Sequence, residues 1–315
     1  MIVMSLKFHI GLVQFSFSFF AILLNLLIFL PVFHLAFVSR KSTIYIIAFF
    51  NILSDLFQLT FTCFHLSASV MADRYVLSSG PLDLRSLVLG GYFINAWFME
   101  CVIQVVMAAN RFAVITLKNK TLFTFTTTNL LFIIIICITT FSAICMQYLF
   151  PCCRFIADHN VMSYMQVEVK GLYNYSNALL LFYNVSCTIT STLCYVFVWY
   201  SIRKNNKLAP ANVAANRSNQ DIKYLIQFVF ISIFYIFTWV LFELLPHLVP
   251  ADQPEWFAVV PVLLSCNCSS NSIIFLKTNP EVQKRLPIPW LRRKLVKVQA
   301  SYASSLANPP VNPNN

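Results

Sequence analysis

Apolar residues in this chain come in long blocks, and polar residues are confined to the short stretches between them. Seven blocks stand out, at about 10–36, 43–68, 86–115, 126–150, 176–201, 224–248 and 255–276. Each can cross a hydrocarbon core of about 30 Å as an α-helix, which takes about 20 residues. The separators "SRKST", "ADRYVLSSGPLD", "LKNKT" and "ADQPE" are short and polar. The pattern predicts an all-α membrane protein, a seven-transmembrane helix bundle filling residues 1–286. In the third block, Gly90-Gly91 leaves room where a neighbouring helix is expected to approach closely. The first block is too long for a signal-peptide core, and no A-x-A-like cleavage site follows it.

Composition points the same way. Of the 315 residues, 58% are hydrophobic and 10% charged, and mean hydropathy is +0.71. Soluble domains carry about 25% charged residues. Charge also orients the bundle. One alternating set of loops holds 17 of the 22 basic residues, including Arg40, Lys41, Arg111, Lys118, Lys120, Arg203, Lys204 and the cluster after residue 276. The other set has Lys7, Arg74, Arg85, Arg154 and Lys170 beside several acids. Short cytoplasmic loops are enriched in Lys and Arg, so the N-terminus is expected outside and the C-terminus in the cytoplasm. The net charge of +11 then reflects topology and attraction to anionic membrane lipid, and needs no nucleic acid to explain it.

Polar side chains inside the blocks are the candidate chemistry. Asn25 lies in the first, Asn51 and Asp55 in the second, Glu100 in the third, and Asn267 and Asn271 in the seventh. A charged group in a bilayer costs at least about 2.5 kcal/mol and turns to the bundle interior. Asp55 and Glu100 fall at similar depth. Two such carboxylates either share a proton or hold a cation, or they belong to a hydrogen-bonded network that only fixes packing. Arg111 closes the third block on the face of Glu100, about 16 Å along the axis at 1.5 Å per residue. An arginine at a helix end also serves as an interface anchor.

After the seventh block, Thr278-Asn279-Pro280-Glu281 reads as a helix start, with a capping side chain, a proline at the first position and an acid near the positive dipole end. A short amphipathic surface helix is predicted over about 279–290, with Val282, Leu286 and Trp290 on lipid. The Pro/Asn-rich stretch 291–315 has the composition of a disordered cytoplasmic tail.

Seven spans, Asn110-Arg111-Phe112 at the inner end of the third, Asp55 in the second and Asn271-Ser-Ile-Ile-Phe275 in the seventh together resemble the G-protein-coupled receptor superfamily. The segments "MAANRFAVI", "LFPCCRFIADHNVMSYMQVEVKGLYNYSN" and "NCSSNSIIFLKTNPEV" resemble the nematode serpentine chemoreceptors, nearest to class v (Srv), over about residues 15–286. The resemblance implies a chemosensory receptor in the plasma membrane of a sensory cilium. It would bind an environmental small molecule and couple to a heterotrimeric G protein through Asn110, Arg111 and Phe112, with Asn25, Asp55, Glu100 and Asn271 as its interior network. The sequence departs from the superfamily at two places. The cysteine expected at the outer end of the third span is Ser86, which leaves Cys152 and Cys153 to pair with each other, with Cys63 or with Cys145. The Cys-Trp-x-Pro pattern of the sixth span is absent: Trp239 is present, but proline comes at Pro246.

A ligand entering from outside would meet Phe93, Trp97, Tyr173, Glu243, His247 and Trp256, which supply the aromatic and polar groups a small-molecule pocket needs. The sequon Asn174-Tyr-Ser lies on the outer side and is the candidate glycosylation site. A ligand-gated channel or transporter would instead use Asp55 and Glu100 as an ion path, with a helix broken at mid-membrane for which Pro261 is the main candidate. An enzyme is not expected. The five histidines have no metal-ligand spacing, no Gly-x-Ser-x-Gly motif appears, and no metal or cofactor is implied.

Overall fold

A computed structural model describes residues 2–119, 121–169, 171–208, 232–250 and 252–289. Helix α1 (Ile2–Phe33) runs on through a widened turn at His34–Val38. Helix α2 (Thr43–Phe61) continues through a similar turn, Thr62–Ser67, to Ala72, where Asp73 takes the left-handed conformation that ends it. Helix α3 spans Leu84–Arg111, and α4 (Phe125–Ile144) starts on a capping box formed by Thr124 and Thr127. Helix α5 covers Tyr175–Leu208, its first turn capped by Asn174, whose Oδ1 accepts from the Asn177 amide at 2.8 Å. Helices α6 (Ser232–Leu248) and α7 (Val259–Thr278) follow, and α8 (Pro280–Lys284) closes the described chain. Six of these helices are long and apolar enough to span a membrane; α6 is shorter, and the rest of the predicted sixth block, 224–231, lies outside the described residues. The architecture is a seven-helix membrane bundle.

Helix α3 packs against α2, α4 and α5, while α1 packs against α2 and α7. Large apolar side chains such as Leu30, Ile133, Phe141 and Phe182 are exposed on the perimeter, where lipid would cover them. The interior divides into two apolar cores. One contains Leu59, Phe93, Phe98 and Tyr235, the other Ile28, Ile52, Ile103 and Val198. On α1, Asn25 falls between Ala21 of the first core and Ile28 of the second; on α2, Asp55 falls between Leu59 and Ile52. A polar layer thus separates them.

The bundle is not purely helical. Strands β1 (Arg154–Asp158) and β2 (Ser163–Val167) form an antiparallel hairpin with Ile156 opposite Met165. The hairpin lies across one end of the bundle. Phe93 of α3 stacks on Phe155 and Tyr164 with ring centroids 5.4 and 4.4 Å apart, and the Tyr164 hydroxyl is 2.5 Å from Thr62 Oγ1. At the hairpin turn, His159 packs edge-on against Tyr75 and lies 3.9 Å from Asp73, which pairs with Lys7 of α1. Burial, with Asp158 close by, pushes the Tyr75 phenol well above its ordinary range.

Two expectations change, and one open pairing is answered. The closest approach at Gly90 comes from the hairpin, with the Gln147 side chain beyond α4 beside it: a Cβ there would sit 2.3 Å from the Phe155 carbonyl oxygen and 2.6 Å from Gln147 Nε2. Cys152 and Cys153 are bonded to each other, while Cys63 and Cys145 are free thiols. Helix α8 is only five residues long because Pro287 cannot continue it. Its Val282, and Leu286 just beyond it, are buried against protein rather than turned to lipid. Trp290 and the tail 291–315 lie outside the described residues.

Candidate functional site

The polar layer is built from four helices. Asp55 Oδ2 accepts from Asn51 Nδ2 at 2.9 Å and from Asn271 Nδ2 at 3.3 Å. Glu100 takes one amide on each oxygen, Gln58 Nε2 at 2.8 Å and Asn267 Nδ2 at 2.5 Å. Asn25 ties α1 to α7, donating to the Cys268 carbonyl at 3.1 Å and accepting from Ser272 Oγ at 2.8 Å. Both carboxylates have no solvent exposure. Asp55, Glu100 and Cys268 bring ligand atoms within 4.8 Å of one another, an arrangement that could hold a small cation. Asp55 Oδ1, Gln58 Oε1 and Asn267 Oδ1 are buried acceptors with no hydrogen-bond partner among the described residues. Gln58 was not singled out in the sequence; its spacing from Asp55, close to one helical turn, was the available signal.

Between this layer and the hairpin lies a narrow cavity of about 30 Å³, lined by α3, α5, α6, α7 and the hairpin. Phe93 and Trp97 line it, together with Phe155, Tyr164, Asn184, Thr238, Trp239 and Phe242, and no charged residue does. Asn184 is the polar centre of the wall. Its Oδ1 accepts from Trp97 Nε1 at 3.0 Å and from the Tyr235 hydroxyl at 2.9 Å. A larger vestibule of about 830 Å³ adjoins the cavity and shares Tyr164 and Phe242 with it; Glu243, His247 and Asn174 line the vestibule. Tyr173 and Trp256 line neither space. Both are more than half exposed, Tyr173 packing edge-on against Tyr175 and Trp256 bonding to Gln253. Asn174 is half-buried, with Nδ2 donating to Gln166 at 2.8 Å. Sequence reasoning missed Phe155 and Tyr164 because a hairpin was not expected. It gave Asn184 no role in a pocket.

The hairpin is held over the cavity by Gln147, at the end of α4. Its Nε2 donates to the Phe155 carbonyl at 2.8 Å and to the Leu87 carbonyl of α3 at 3.2 Å, and its Oε1 accepts from the Phe155 amide at 3.0 Å. Ser86 meanwhile bonds Ser78 and the Gly80 carbonyl at 2.6 and 2.9 Å, bracing the α2–α3 loop. At the opposite end of the bundle, Asn110 is buried, and Arg111 and Phe112 are half-buried, Phe112 lying 6.0 Å from the Phe197 ring of α5. Helix α8 docks on α1 and α7: Asn279 Oδ1 accepts from the Glu281 and Val282 amides at 3.1 and 3.2 Å, and Lys41 pairs with Glu281 at 2.8 Å.

A family model described as 7TM_GPCR_Srx, serpentine type 7TM GPCR chemoreceptor Srx, matches residues 15–279. The chain belongs to the Srx family. The nematode-type serpentine likeness seen in the sequence therefore holds at the level of the superfamily and the chemoreceptor group, while the match carries Srx and not class v. The Srx chain shares its fold with squid rhodopsin, whose crystal structure superposes with a TM-score of 0.71 at 13% identity over 91% of this chain and 82% of that one. No curated protein matches.

Proposed function

We propose that this Srx chain is a chemosensory receptor that binds an environmental small molecule in the cavity beneath the hairpin and signals to a heterotrimeric G protein at the Arg111 end. The observation that carries this reading is an uncharged aromatic cavity, bounded by four helices and a hairpin, in a chain of a chemoreceptor family. Such a cavity is what a small-molecule site needs. The basic loops support an orientation with the hairpin end outside and Arg111 in the cytoplasm. The plasma membrane, and within it a sensory cilium, follows from the family's role. Asn110, Arg111 and Phe112 would meet the G protein, and Asn25, Asp55, Glu100 and Asn271 would form the layer that repacks when the helices move. A ligand can act only by differing in affinity between two helix arrangements.

A channel or transporter finds less support. Pro261 lies in the first turn of α7, where proline is tolerated, and breaks no helix at mid-membrane.

Cells expressing the chain with a broadly coupling G-protein α subunit would be imaged for calcium under a panel of volatile and soluble cues, with Arg111→Glu alongside and surface expression matched. A response that needs the G protein and disappears in the variant supports the reading. A response that persists without the G protein, with Arg111 dispensable, overturns it in favour of a conductance.

A further inference from the structure

Resting on that reading, the cavity's chemistry narrows its ligand. The Asn184 amide cannot flip. An indole N–H only donates, so the Trp97 bond fixes the oxygen of Asn184 on the protein side, where Tyr235 also donates to it. That leaves Asn184 Nδ2, a buried donor with no partner among the described residues. A second cavity residue, Trp239, has its Nε1 in the same state. The other polar groups of the wall are committed: Thr238 Oγ1 donates to the Phe234 carbonyl at 2.8 Å, and the Tyr164 hydroxyl is engaged by Thr62. The wall therefore offers unpaired donors, no charge, and otherwise aromatic and aliphatic carbon. A buried donor left unpaired is costly, so a matching acceptor is selected strongly.

We infer that the cavity takes a small neutral molecule with one acceptor oxygen, a ketone, aldehyde or ester on a short apolar body, whose oxygen is received by Asn184 Nδ2 and Trp239 Nε1. A carboxylate would find no cation in the wall, and an ammonium would find no carboxylate there. The cavity has room for about two waters, so the ligand enters from the vestibule by displacing Phe242. This is the half-buried member of the shared wall; Tyr164 is buried and pinned to Thr62.

The test uses the full chain purified in nanodiscs, without G protein, and reads saturable changes in melting temperature. The probes are 2-butanone through 2-heptanone and ethyl butyrate, compared with hexanoate and hexylammonium. The ketones and ester should bind at least about tenfold tighter than either ion. Trp239→Phe, which keeps a ring and removes the N–H, should weaken the ketones about 3- to 10-fold. Asn184→Asp keeps the acceptor that Trp97 and Tyr235 require but removes the donors, and should shift preference from ketone to hexylammonium. Binding of an ion as tight as the ketone, ketone affinity unchanged in both variants, or no saturation by any ketone or ester would each overturn the inference. Because binding is read without G protein, a receptor that binds ketones but never signals sinks only the signalling reading. One that signals to a charged cue without binding ketones sinks only this inference.

Discussion

Two adjacent glycines on α3 should respond in opposite directions to the same substitution. At Gly90 an added Cβ would lie 2.3 Å from the Phe155 carbonyl oxygen and 2.6 Å from Gln147 Nε2; at Gly91 its nearest neighbour is Gln147 Cγ at 3.5 Å, an ordinary contact. Alanine is favoured over glycine in a helix by about 1 kcal/mol, so Gly91→Ala should stabilise by up to that amount. Gly90→Ala gains the same but forces the β1 backbone back by about 1 Å, and such overpacking typically costs about 1–3 kcal/mol. The retreat also lengthens the Gln147 bonds to Phe155, now 2.8 and 3.0 Å, at about 1 kcal/mol each. The net expectation is a loss of about 2–4 kcal/mol. Buried Cys63, Cys101, Cys187 and Cys268 become reactive on unfolding, so a thiol-reactive dye reads the melt directly. If Gly90→Ala melts at or above the parent, or Gly91→Ala falls as far, the hairpin does not sit where the geometry has it. A folded Gly90→Ala should still lose cavity affinity, because Phe155 and Tyr164 leave the wall together.

Gln147→Met keeps volume but leaves both backbone groups of buried Phe155 unpaired; a loss of about 2–3 kcal/mol should appear in the same melt, with faster proteolysis between residues 150 and 175. Asp55→Asn retains an oxygen for Asn51 and Asn271 and replaces an oxygen that has no partner. Its stability should stay within about 1 kcal/mol of the parent, whereas Asp55→Leu strands two amides and should cost about 2–4 kcal/mol; equal melts for the two would refute the network. Lys41, bonding to and paired with Glu281, holds that exposed carboxyl below its ordinary value of 4.5. A depressed carboxylate stabilises above its unfolded pKa and loses that contribution as pH falls through the lower folded value. A stability difference between the parent and Glu281→Gln at neutral pH should therefore persist until pH falls below the ordinary carboxylate value, and shrink with salt.

Block length and composition made the bundle legible, because a bilayer demands long apolar helices and allows little else. The depth of Asp55 and Glu100 was readable for the same reason: a carboxylate inside a span has only the bundle interior to face. The hairpin was harder to see. Its strands are five residues each, flanked by Pro151, the cysteine pair and polar turns, and their burial comes from the bundle below rather than from any alternation of their own. Tyr173 and Trp256 show the converse limit, since aromatics near span ends serve a pocket or the membrane interface equally well. The shortness of α8 was legible in principle from Pro287. The capping signal at Asn279 located its start but carried no information about its end.

The position of Asn184 bears on how a small ligand could move a large bundle. Its oxygen gathers the Trp97 indole of α3 and the Tyr235 hydroxyl of α6 onto α5, and the same hydroxyl reaches Cys101 Sγ at 2.8 Å. Cys101 directly follows Glu100 on α3, and the two oxygens of Glu100 hold α2 and α7. A ligand oxygen bound to the nitrogen of Asn184 would therefore act on an amide that already joins three helices, and whose partner Tyr235 reaches the neighbour of the residue that joins two more. No long-range path is needed, because the cavity floor and the polar layer share neighbouring residues of α3. The two apolar cores on either side can pack in more than one register only if the layer between them exchanges partners. Its unpartnered acceptors on Gln58, Asn267 and Asp55 are what such an exchange would use.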